Sequence, residues 1–542
     1  MKNFYITIFF IIFFTNVTFS QIPKLEKINC DTLTMIGDLK VDKNMNLYFI
    51  SLVFVNNVDF WYITKLNKSY NVIWRKSVYS NEDTRPQSFE IDDSLNIFIT
   101  GYSSEGLINL KLDSNGIQKW LNIETIPGYF NRRGEKILID KSGFIYVGGE
   151  IQKFLNDTDI LLLKYDSNGK KIWQRIFNSS ISSINANNNF TNMLLDDDNN
   201  IYISGSINSV SGSPPGTTSS FLKYNSNGDL IFHKEYSNFF SGAGLEMVIT
   251  QEKKIYLCGE LKEKNYYDNS KILLIKYDTS GNFIWERRFT KQFGFNNYVF
   301  RLIKNSSDNI YIGGVSEKGE KIHPNLTIWE SYLMLLKYNS DGNIAWTKFI
   351  SGDTNLRRVS FYSLKTDYEN NVYFSGTIYN KITNFDVRIL KLNNNGNNIW
   401  DLNFNYKDSS SEIGGALYLY PNNNFLVVSR VGNLNKICYL QYSQITNISN
   451  NSIEIPNFKL SQNYPNPFNS STNINFEIYD RGIYFLKIYD VLGKIIFEKS
   501  YNNLNPGVYE FKLQLNNLNS GIYYYELSSE NKKEGKKMIL IK

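Results

Sequence analysis

Residues 161–177 read LLLKYDSNGKKIWQRIF, and residues 195–205 read LDDDNNIYISG. The first stretch contains an apolar strand, an Asp-x-x-Gly turn and a second strand that carries Trp173. Gly169 suits a hairpin turn, because glycine tolerates the positive φ that such turns require. The second stretch adds a polar turn and another short strand. Together they predict consecutive antiparallel strands joined by tight turns.

The same pattern recurs along the chain. The turn has seven copies, which end at Trp74, Trp120, Trp173, Phe232, Trp285, Trp346 and Trp400. Six copies have a glycine four residues before the aromatic residue, whereas the first copy has Tyr70, so a different turn is expected there. The IYISG-type strand has eight copies, at 46–51, 96–101, 144–149, 200–205, 254–259, 309–314, 371–376 and 424–429. Four short strands repeated in this way are typical of a β-propeller blade.

The number of strand copies predicts how the propeller closes. Eight IYISG-type strands accompany only seven aromatic outer strands, and the segment KLEKIN at 24–29 precedes the first blade. We expect it to pair with ICYLQY at 437–442, since an open ring would leave a sheet edge unpaired. The prediction is an all-β fold with an eight-bladed propeller over 21–445, and seven blades are the alternative. The repeated tryptophan is expected to cover the seam between blades.

The repeat resembles the SBBP family of bacterial β-propeller repeats, from about residue 24 to residue 445. That resemblance implies a propeller and no particular activity. The Gly-x-x-x-Trp spacing is also similar to the docking motif of quinoprotein dehydrogenases, but no two cysteines are adjacent, as that family's quinone site requires. The Asp-box of sialidases needs Asp at the position of Ser167. Neither enzyme family is therefore supported.

Residues 1–20 have the pattern of a signal peptide. Lys2 supplies a positive start, residues 4–14 are almost wholly apolar, and Thr18 and Ser20 place small side chains before the cleavage point. An uncleaved membrane anchor is the alternative. No later segment is apolar enough to span a bilayer, so the mature chain is expected to be exported without a transmembrane segment.

Composition argues against several kinds of site. A net charge of +6 over 542 residues is too dilute for nucleic-acid binding. His233 and His323 are the two histidines, which argues against a His-rich metal site or a His-dependent triad. The acidic turn 196–198 lacks the terminal Glu of calcium loops and is expected to be solvated. We therefore expect no metal and no cofactor.

The three cysteines, Cys30, Cys258 and Cys438, permit at most one disulfide. Because cysteine is often a small buried apolar residue, we expect all three to serve as core residues. Stability is then expected to come from the core.

Candidate ligand contacts lie on the long, irregular connections that a propeller places at one end. These connections are 126–134, 206–219, 236–245, 291–298 and 316–331. Variable loops on a rigid scaffold often carry recognition, and Arg and aromatic residues are common contact residues. The predicted contacts are Tyr129, Arg132, Arg133, Tyr298, Trp329, Arg357 and Arg358. No catalytic residue is identified.

The C-terminal part changes character. Residues 446–461 are polar and are expected to be a linker, and 462–542 show the period-2 pattern of a small Ig-like β-sandwich. This segment strongly resembles the C-terminal sorting domain of the bacterial type IX (Por) secretion system, although Ser470 stands where that family usually has proline. The matching residues include Asn463, Pro465, Asn466, Pro467, Phe468, Tyr489, Asp490, Gly493, Gly507, Gly521, Lys536 and Lys537.

The resemblance implies export to the periplasm and then passage across the outer membrane, with the type IX machinery as partner. The tail is typically removed, and the cargo is released or attached to the surface. The leading hypothesis is a secreted or surface-attached, non-catalytic module that binds a polysaccharide or protein. The alternatives are a hydrolase or lyase with carboxylates in the central channel, and a structural or adhesive surface protein.

Overall fold

The structure of the protein is a computed structural model. It describes residues 23–31, 35–55, 58–78, 84–154, 157–179, 186–209, 217–236, 241–263, 268–292, 295–323, 326–352, 359–380, 384–404, 412–420, 424–431, 436–443, 458–478, 482–491, 493–505, 507–514, 518–529 and 533–542. The predicted signal peptide and the predicted contacts Arg357 and Arg358 lie outside these residues. The chain divides into two compact units, Met1–Thr446 and Asn447–Lys542.

The described part of the first unit consists of strands and turns, and its strands form four-stranded antiparallel sheets, here called sheets 1 to 8. In sheets 1 to 7 the strands follow chain order. Sheets 1 to 4 contain β2 (Met35–Val41), β3 (Leu47–Val55), β4 (Val58–Leu66) and β5 (Val72–Ser77); β6 (Arg85–Ile91), β7 (Ile97–Ser103), β8 (Gly106–Leu112) and β9 (Gln118–Glu124); β10 (Arg132–Ile139), β11 (Ile145–Phe154), β12 (Asp157–Tyr165) and β13 (Lys171–Phe177); β14 (Ala186–Leu195), β15 (Ile201–Ser209), β16 (Thr217–Tyr224) and β17 (Leu230–Tyr236).

Sheets 5 to 7 continue the same order, and one parallel bridge between Thr217 and Ser241 links sheets 4 and 5. Their strands are β18 (Ser241–Ile249), β19 (Lys254–Lys262), β20 (Lys271–Asp278) and β21 (Phe283–Phe289); β22 (Asn296–Lys304), β23 (Ile310–His323), β24 (Leu326–Tyr338) and β25 (Ile344–Ile350); β26 (Ser360–Thr366), β27 (Val372–Asn380), β28 (Asn384–Leu392) and β29 (Asn398–Phe404).

Sheet 8 combines the two ends of the first unit. Strands β30 (Glu412–Leu419), β31 (Phe425–Val431) and β32 (Lys436–Ser443) are completed by β1 (Lys24–Asp31). Strand β1 runs antiparallel to β32, with Lys24 opposite Ser443 and Asp31 opposite Ile437. The sequence predicts this pairing for 24–29 and 437–442.

Cys258 and Cys438 are core residues, as expected, but Cys438 also forms a disulfide that the sequence left only as possible. Cys438 is disulfide-bonded, whereas Cys258 is a buried free thiol. Cys30 is the third cysteine of the chain and stands opposite Cys438 in the β1–β32 ladder. Directly opposite positions of an antiparallel pair bring two Cα atoms to a separation that a disulfide spans. Single-sequence reasoning missed the bond because it leaves the register of β1 open.

Apolar clusters fill the seams between consecutive sheets. Among the described residues, eight such clusters occur in the first unit, and each combines side chains from two neighbouring sheets. Tyr48 and Phe89, for example, join sheets 1 and 2. The last cluster joins Phe49 of sheet 1 to Leu426 and Tyr439 of sheet 8. Burial therefore continues around the series and connects its last sheet to its first.

The repeated glycine meets the repeated aromatic ring of the preceding sheet across six of these seams. Gly169 has a φ of 83°, and its equivalents are also left-handed, which confirms the predicted turn. A Cβ at Gly169 would lie 2.7 Å from the ring of Trp120 in the preceding sheet. The Trp120 indole N–H donates to the Ser167 carbonyl at 3.2 Å, and the Lys111 ammonium donates to the same oxygen at 3.1 Å. The tryptophan thus covers the seam, as predicted.

The first turn keeps the same backbone, although the sequence predicts a different one. Tyr70 has a φ of 61°, and its N–H donates to the Asn67 carbonyl at 2.8 Å. The difference lies in the side chain. The sheet before Tyr70 is sheet 8, whose outer strand β1 carries no tryptophan, and the Tyr70 ring fills that space by stacking on Tyr439 and bonding to Tyr420.

Replacing Gly169 with alanine is expected to be clearly more destabilising than replacing Gly143. Both residues end an Asp-x-x-Gly turn, with φ of 83° and 82°, but a Cβ at Gly143 would meet nothing within 4 Å. We expect Gly143→Ala to lower the free energy of unfolding by about 1 kcal/mol through backbone strain. Gly169→Ala should cost a further 1–3 kcal/mol, roughly, because the methyl group displaces Trp120. Chemical denaturation measures both losses, and equal losses would contradict the docking role of Trp120.

The second compact unit contains two sheets around one core. Their strands are β33 (Phe458–Leu460), β34 (Ser471–Ile478), β35 (Gly482–Tyr489), β36 (Ile495–Leu504), β37 (Gly507–Gln514), β38 (Gly521–Ser528) and β39 (Lys533–Leu540), in the orders β33-β34-β37 and β36-β35-β38-β39. Phe476, Leu486 and Tyr525 belong to the shared core. Strand β33 lies inside the predicted linker 446–461, because Phe458 and Leu460 are buried against β34.

Several segments predicted as irregular connections form strands. Residues 316–331 lie on the long hairpin of β23 and β24, in which Trp329 stands opposite Gly319. Arg132 and Arg133 begin β10, and Tyr298 lies on β22. Hairpin arms that extend beyond the apolar seams satisfy their own backbone hydrogen bonds, so they need no apolar pattern that sequence reasoning could detect.

Candidate functional site

The first strands of the eight sheets carry charged side chains on one face. These strands contact one another in order from β2 to β30. Their buried positions, such as Leu302 and Leu364, belong to the seams, and side chains alternate along a strand. The opposite positions and the adjoining bulges hold a set that we call the inner charged surface: Asp38, Lys40, Glu90, Glu135, Lys136, Glu246, Arg301 and Lys365.

Charges of this surface interact around a common space. Between neighbouring sheets, the Lys40 ammonium lies 2.8 Å from a Glu90 oxygen, and the Arg301 guanidinium lies 3.7 Å from a Glu246 oxygen. Lys136 of sheet 3 also acts on the pKa of Glu246 in sheet 5. An interaction that skips a sheet is expected when both side chains face the same interior space.

Carboxyl groups on one side of this space are held away from water. Burial raises the pKa of Glu246, and Arg301 and Lys136 oppose the effect. Burial also raises the pKa of Glu135, which Arg133 opposes. Raised carboxyl pKa values in an enclosed space are common at functional sites.

Two further glutamates stand behind the inner strands, on β11 and β19. Glu150 accepts the Phe190 N–H at 2.8 Å, and Glu260 accepts the Val299 N–H at 3.3 Å. Both bonds therefore join a second strand to the first strand of the next sheet. Burial raises the pKa of Glu260 to about 7, a value that Lys262 and the Val299 bond moderate.

Three of the predicted contacts lie together and support their own loop. The Arg132 guanidinium donates to the carbonyls of Ile126, at 3.0 Å, and of Tyr129. The Tyr129 hydroxyl donates to Asp159 at 3.1 Å, and burial together with that carboxylate raises the pKa of Tyr129 to about 12. Arg132 and Tyr129 thus hold the connection before β10.

Arg133 links this connection to the inner charged surface. Its guanidinium lies 4.9 Å from the centre of the Tyr102 ring and lowers the raised pKa values of Glu135 and Glu150. Tyr298 and Trp329 lie on sheet 6, apart in the chain from this group. Ligand binding by the predicted contacts remains a prediction.

The acidic turn at 196–198 is built like its equivalents in other sheets. Asp196 Oδ1 accepts the N–H groups of Asp198 at 3.0 Å and Asn200 at 2.8 Å, and Oδ2 accepts the Tyr202 hydroxyl at 3.1 Å. Asp140 makes the same three kinds of bond in sheet 3. Over the described ranges, no group of three or more His, Cys, Asp or Glu side chains is placed to hold a metal ion.

A serine and a histidine meet in sheet 4 without forming a triad. Ser220 Oγ lies 3.0 Å from His233 Nε2, and a Glu235 oxygen lies 3.6 Å from the same nitrogen. A hydrolytic triad needs the carboxylate on the other ring nitrogen. Burial lowers the pKa of His233, and its ring packs on Phe177. These contacts are those of a structural histidine.

The sorting-motif residues of the second unit bring its two ends together. The Phe468 N–H donates to the Ile539 carbonyl at 2.9 Å, and Asn466 Oδ1 accepts the Ile539 N–H at 2.8 Å. Asn463 is buried, and its side chain donates to the Pro465 carbonyl at 3.1 Å. The first motif and the last strand are therefore one structural feature. Pro465, Pro467 and Lys537 are exposed beside them.

Residues 462–542 match the family described as the secretion system C-terminal sorting domain. The chain therefore carries the sorting signal of the type IX secretion system and is exported to the cell surface or the extracellular space. A comparison with curated proteins gives no match. Among the described residues, no helix combines the length and apolar character needed to cross a membrane.

Several solved structures are similar to this chain at low identity. A protein of unknown function from Bacteroides caccae has 13% identity and a TM-score of 0.29, and the match covers 53% of this chain and 90% of that one. PorZ of Porphyromonas gingivalis, a surface component of its type IX secretion system, has 12% identity and a TM-score of 0.31, with 94% and 75% covered. An α-L-arabinofuranosidase of Fusarium graminearum has 10% identity and a TM-score of 0.32, with 57% and 91% covered. Similarity at this level carries no functional information.

Proposed function

We propose that the first unit is an eight-bladed β-propeller of the SBBP-like repeat type that acts as a non-catalytic binding module for a polysaccharide or protein. The pairing of β1 with β32 and the seam between sheets 8 and 1 support eight blades over seven. On this reading the inner charged surface lines the central channel. The Ig-like topology of the second unit and the cleaved signal peptide remain predictions.

The observation that carries a binding role is the mixture of groups on the inner strands. Lys365 and Arg301 are exposed to solvent, yet burial lowers the pKa of Lys365, so its ammonium lies in a wet space enclosed by protein. Phe300 is 44% exposed next to Arg301. Enclosed sites that combine aromatic surface with a few charged groups are typical of ligand binding.

Arrays of polysaccharides and of extracellular proteins, probed with the chain from Gln21 to Lys542, test this proposal. We expect saturable binding to at least one polysaccharide or protein. Absence of binding on both arrays, with a cooperatively folded sample, would contradict it. If neither array responds, a purely structural or adhesive role is the remaining hypothesis. Fractionation of cells separately distinguishes release into the medium from attachment to the surface.

The second candidate function is a hydrolase or lyase, and the pKa of Glu260 favours it. A carboxyl group with a pKa of about 7 is suited to proton transfer at neutral pH. Polysaccharide depolymerisation by the wild-type chain, and its loss in Glu260→Gln, would support an enzyme over a binding module.

The Glu260→Gln variant also has an expected effect on stability. Because folding raises the pKa of Glu260 from 4.5 to about 7, its contribution to stability is fully present below pH 4.5 and is lost as the pH rises to about 7. We expect the variant and the wild type to unfold alike at pH 4, and the variant to be more stable by up to about 3 kcal/mol at pH 8. The exposed Glu252→Gln is the control. Equal stability of Glu260→Gln and wild type at pH 8 would contradict the buried-carboxylate account.

A further inference from the structure

Lys365 shares its surroundings with two other cations. After the larger effect of burial, Arg301 and Lys40 both lower the pKa of Lys365, and Asp38 opposes them. Such effects require the three positive groups to lie within electrostatic range of one another. Lys365 is on sheet 7, Arg301 on sheet 6 and Lys40 on sheet 1, so the cluster gathers charges from three inner strands.

The three cations differ in how they are neutralised. Lys40 has Glu90 and Arg301 has Glu246 as carboxylate neighbours. For the Lys365 ammonium, no ion pair or hydrogen bond is found within the described residues. Asp38 offsets only part of the effect of burial and of the two neighbouring cations on Lys365. An enclosed cation without an ion-paired partner is costly, and an anion that enters the space reduces that cost.

Strand β30 of sheet 8 lies between Lys365 and Lys40 in the series of inner strands. It has no charged residue between Gly414 and Leu419. Tyr418 takes there the register position of Lys365, and Ala416 takes that of Arg301. No carboxylate of this stretch therefore stands between the two lysines.

Aromatic side chains come from the same two strands as Arg301 and Lys365. Phe300 and Tyr362 are the extra residues at the bulges of β22 and β26, and a bulge turns its side chain out of the regular alternation. The Phe300 ring is 44% exposed and stacks on Phe361, with 6.1 Å between ring centres. Tyr362 is half-buried. An aromatic face on the strands that carry these cations suits a sugar ring that bears an acidic group, because one side of the sugar ring presents apolar C–H groups.

We propose that Lys365, Arg301 and Lys40 bind the carboxylate or sulfate group of an acidic polysaccharide, whose sugar rings pack against Phe300 and Tyr362. This inference rests on the proposed binding function and names its ligand class and site. A flexible acidic peptide offers the same charge without rigid ring faces, so the aromatic pair favours the sugar.

Titration calorimetry of the chain from Gln21 to Lys542 tests the proposal with four probes. Oligogalacturonate supplies carboxylates, dextran sulfate supplies sulfates, dextran is the neutral control, and poly-glutamate is the peptide control. We expect at least one acidic glycan to bind and dextran not to bind. Lys365→Met should weaken that binding about tenfold or more, whereas Lys365→Arg should stay within about twofold of wild type.

Lys348→Met is the control, because Lys348 is a half-buried lysine that lies away from the inner strands, on β25, the outermost strand of sheet 6. Its affinity should equal that of wild type. The melting temperature of Lys365→Met should be no lower than that of wild type, since an unpaired enclosed charge is removed, and this result separates lost binding from misfolding.

The remaining outcomes overturn the inference. Acidic-glycan binding that is insensitive to Lys365→Met places the ligand elsewhere, and the proposed binding function survives. Binding of poly-glutamate alone means that the ligand is a protein. Failure of every probe overturns the acidic-polysaccharide site, while the separate arrays still decide whether the chain binds anything.

Discussion

Removal of residues 21–30 is expected to lower the free energy of unfolding of the first unit by about 5 kcal/mol, the largest stability effect that we predict. The deletion takes away most of β1, and with it the ladder to β32, the packing of Leu25 on the seam of sheets 7 and 8, and the residue opposite Cys438. Sheet 8 would then end in an unpaired edge. Chemical denaturation with tryptophan fluorescence measures the loss. A deletion variant as stable as the full chain would show that β1 does not close the unit.

The disulfide part of this effect can be separated from the strand. Replacing Cys30 and Cys438 with serine, with β1 otherwise intact, should cost about 2–5 kcal/mol, because the bond closes nearly the whole unit into one loop. A reducing agent should destabilise the wild-type chain and leave the double variant unchanged. Reductant-insensitive wild-type stability would contradict a bonded pair.

Deletion of residues 456–542 is expected to abolish delivery to the cell surface or medium. These residues contain the matched sorting domain and its first strand, β33, and the first compact unit keeps all of its described strands. We expect nearly all of the truncated chain in the periplasm, folded and resistant to limited proteolysis. Immunoblots of medium, surface and periplasmic fractions measure this, with the full chain as control. Truncated protein outside the cell would overturn the assignment of the tail as the export signal.

Local chemistry made much of the fold predictable. Gly169 and Trp173 recur at a fixed spacing because one residue must adopt a positive φ and the other must dock on the next turn. The chain has eight IYISG-type strands but only seven aromatic outer strands. This difference was enough to predict the partner of 24–29. The sorting motif was recognisable by its resemblance to a known family. Within the motif, Asn463 bonds to Pro465 and Phe468 bonds to Ile539 of the last strand.

The inner charged surface could not be predicted in the same way. Lys40, Arg301 and Lys365 lie in three distant repeats. The strand position of Lys40 and Lys365 carries Leu194 and Val248 in other copies, and the position of Arg301 carries Asn192 and Ser363. No linear motif marks them, since they meet only when the sheets are arranged around a common space. Sequence reasoning instead selected Arg132 and Tyr129, whose hydrogen bonds hold their own connection.

Our central claim is that β1 completes sheet 8 and so closes the series of sheets. The first strands of these sheets carry the inner charged surface. Peptide mapping of the exported protein without reduction tests it most directly. The account predicts a linked pair of peptides that contain Cys30 and Cys438, with Cys258 recovered as a free thiol. A free Cys30, or a link between Cys258 and either of the others, would contradict it.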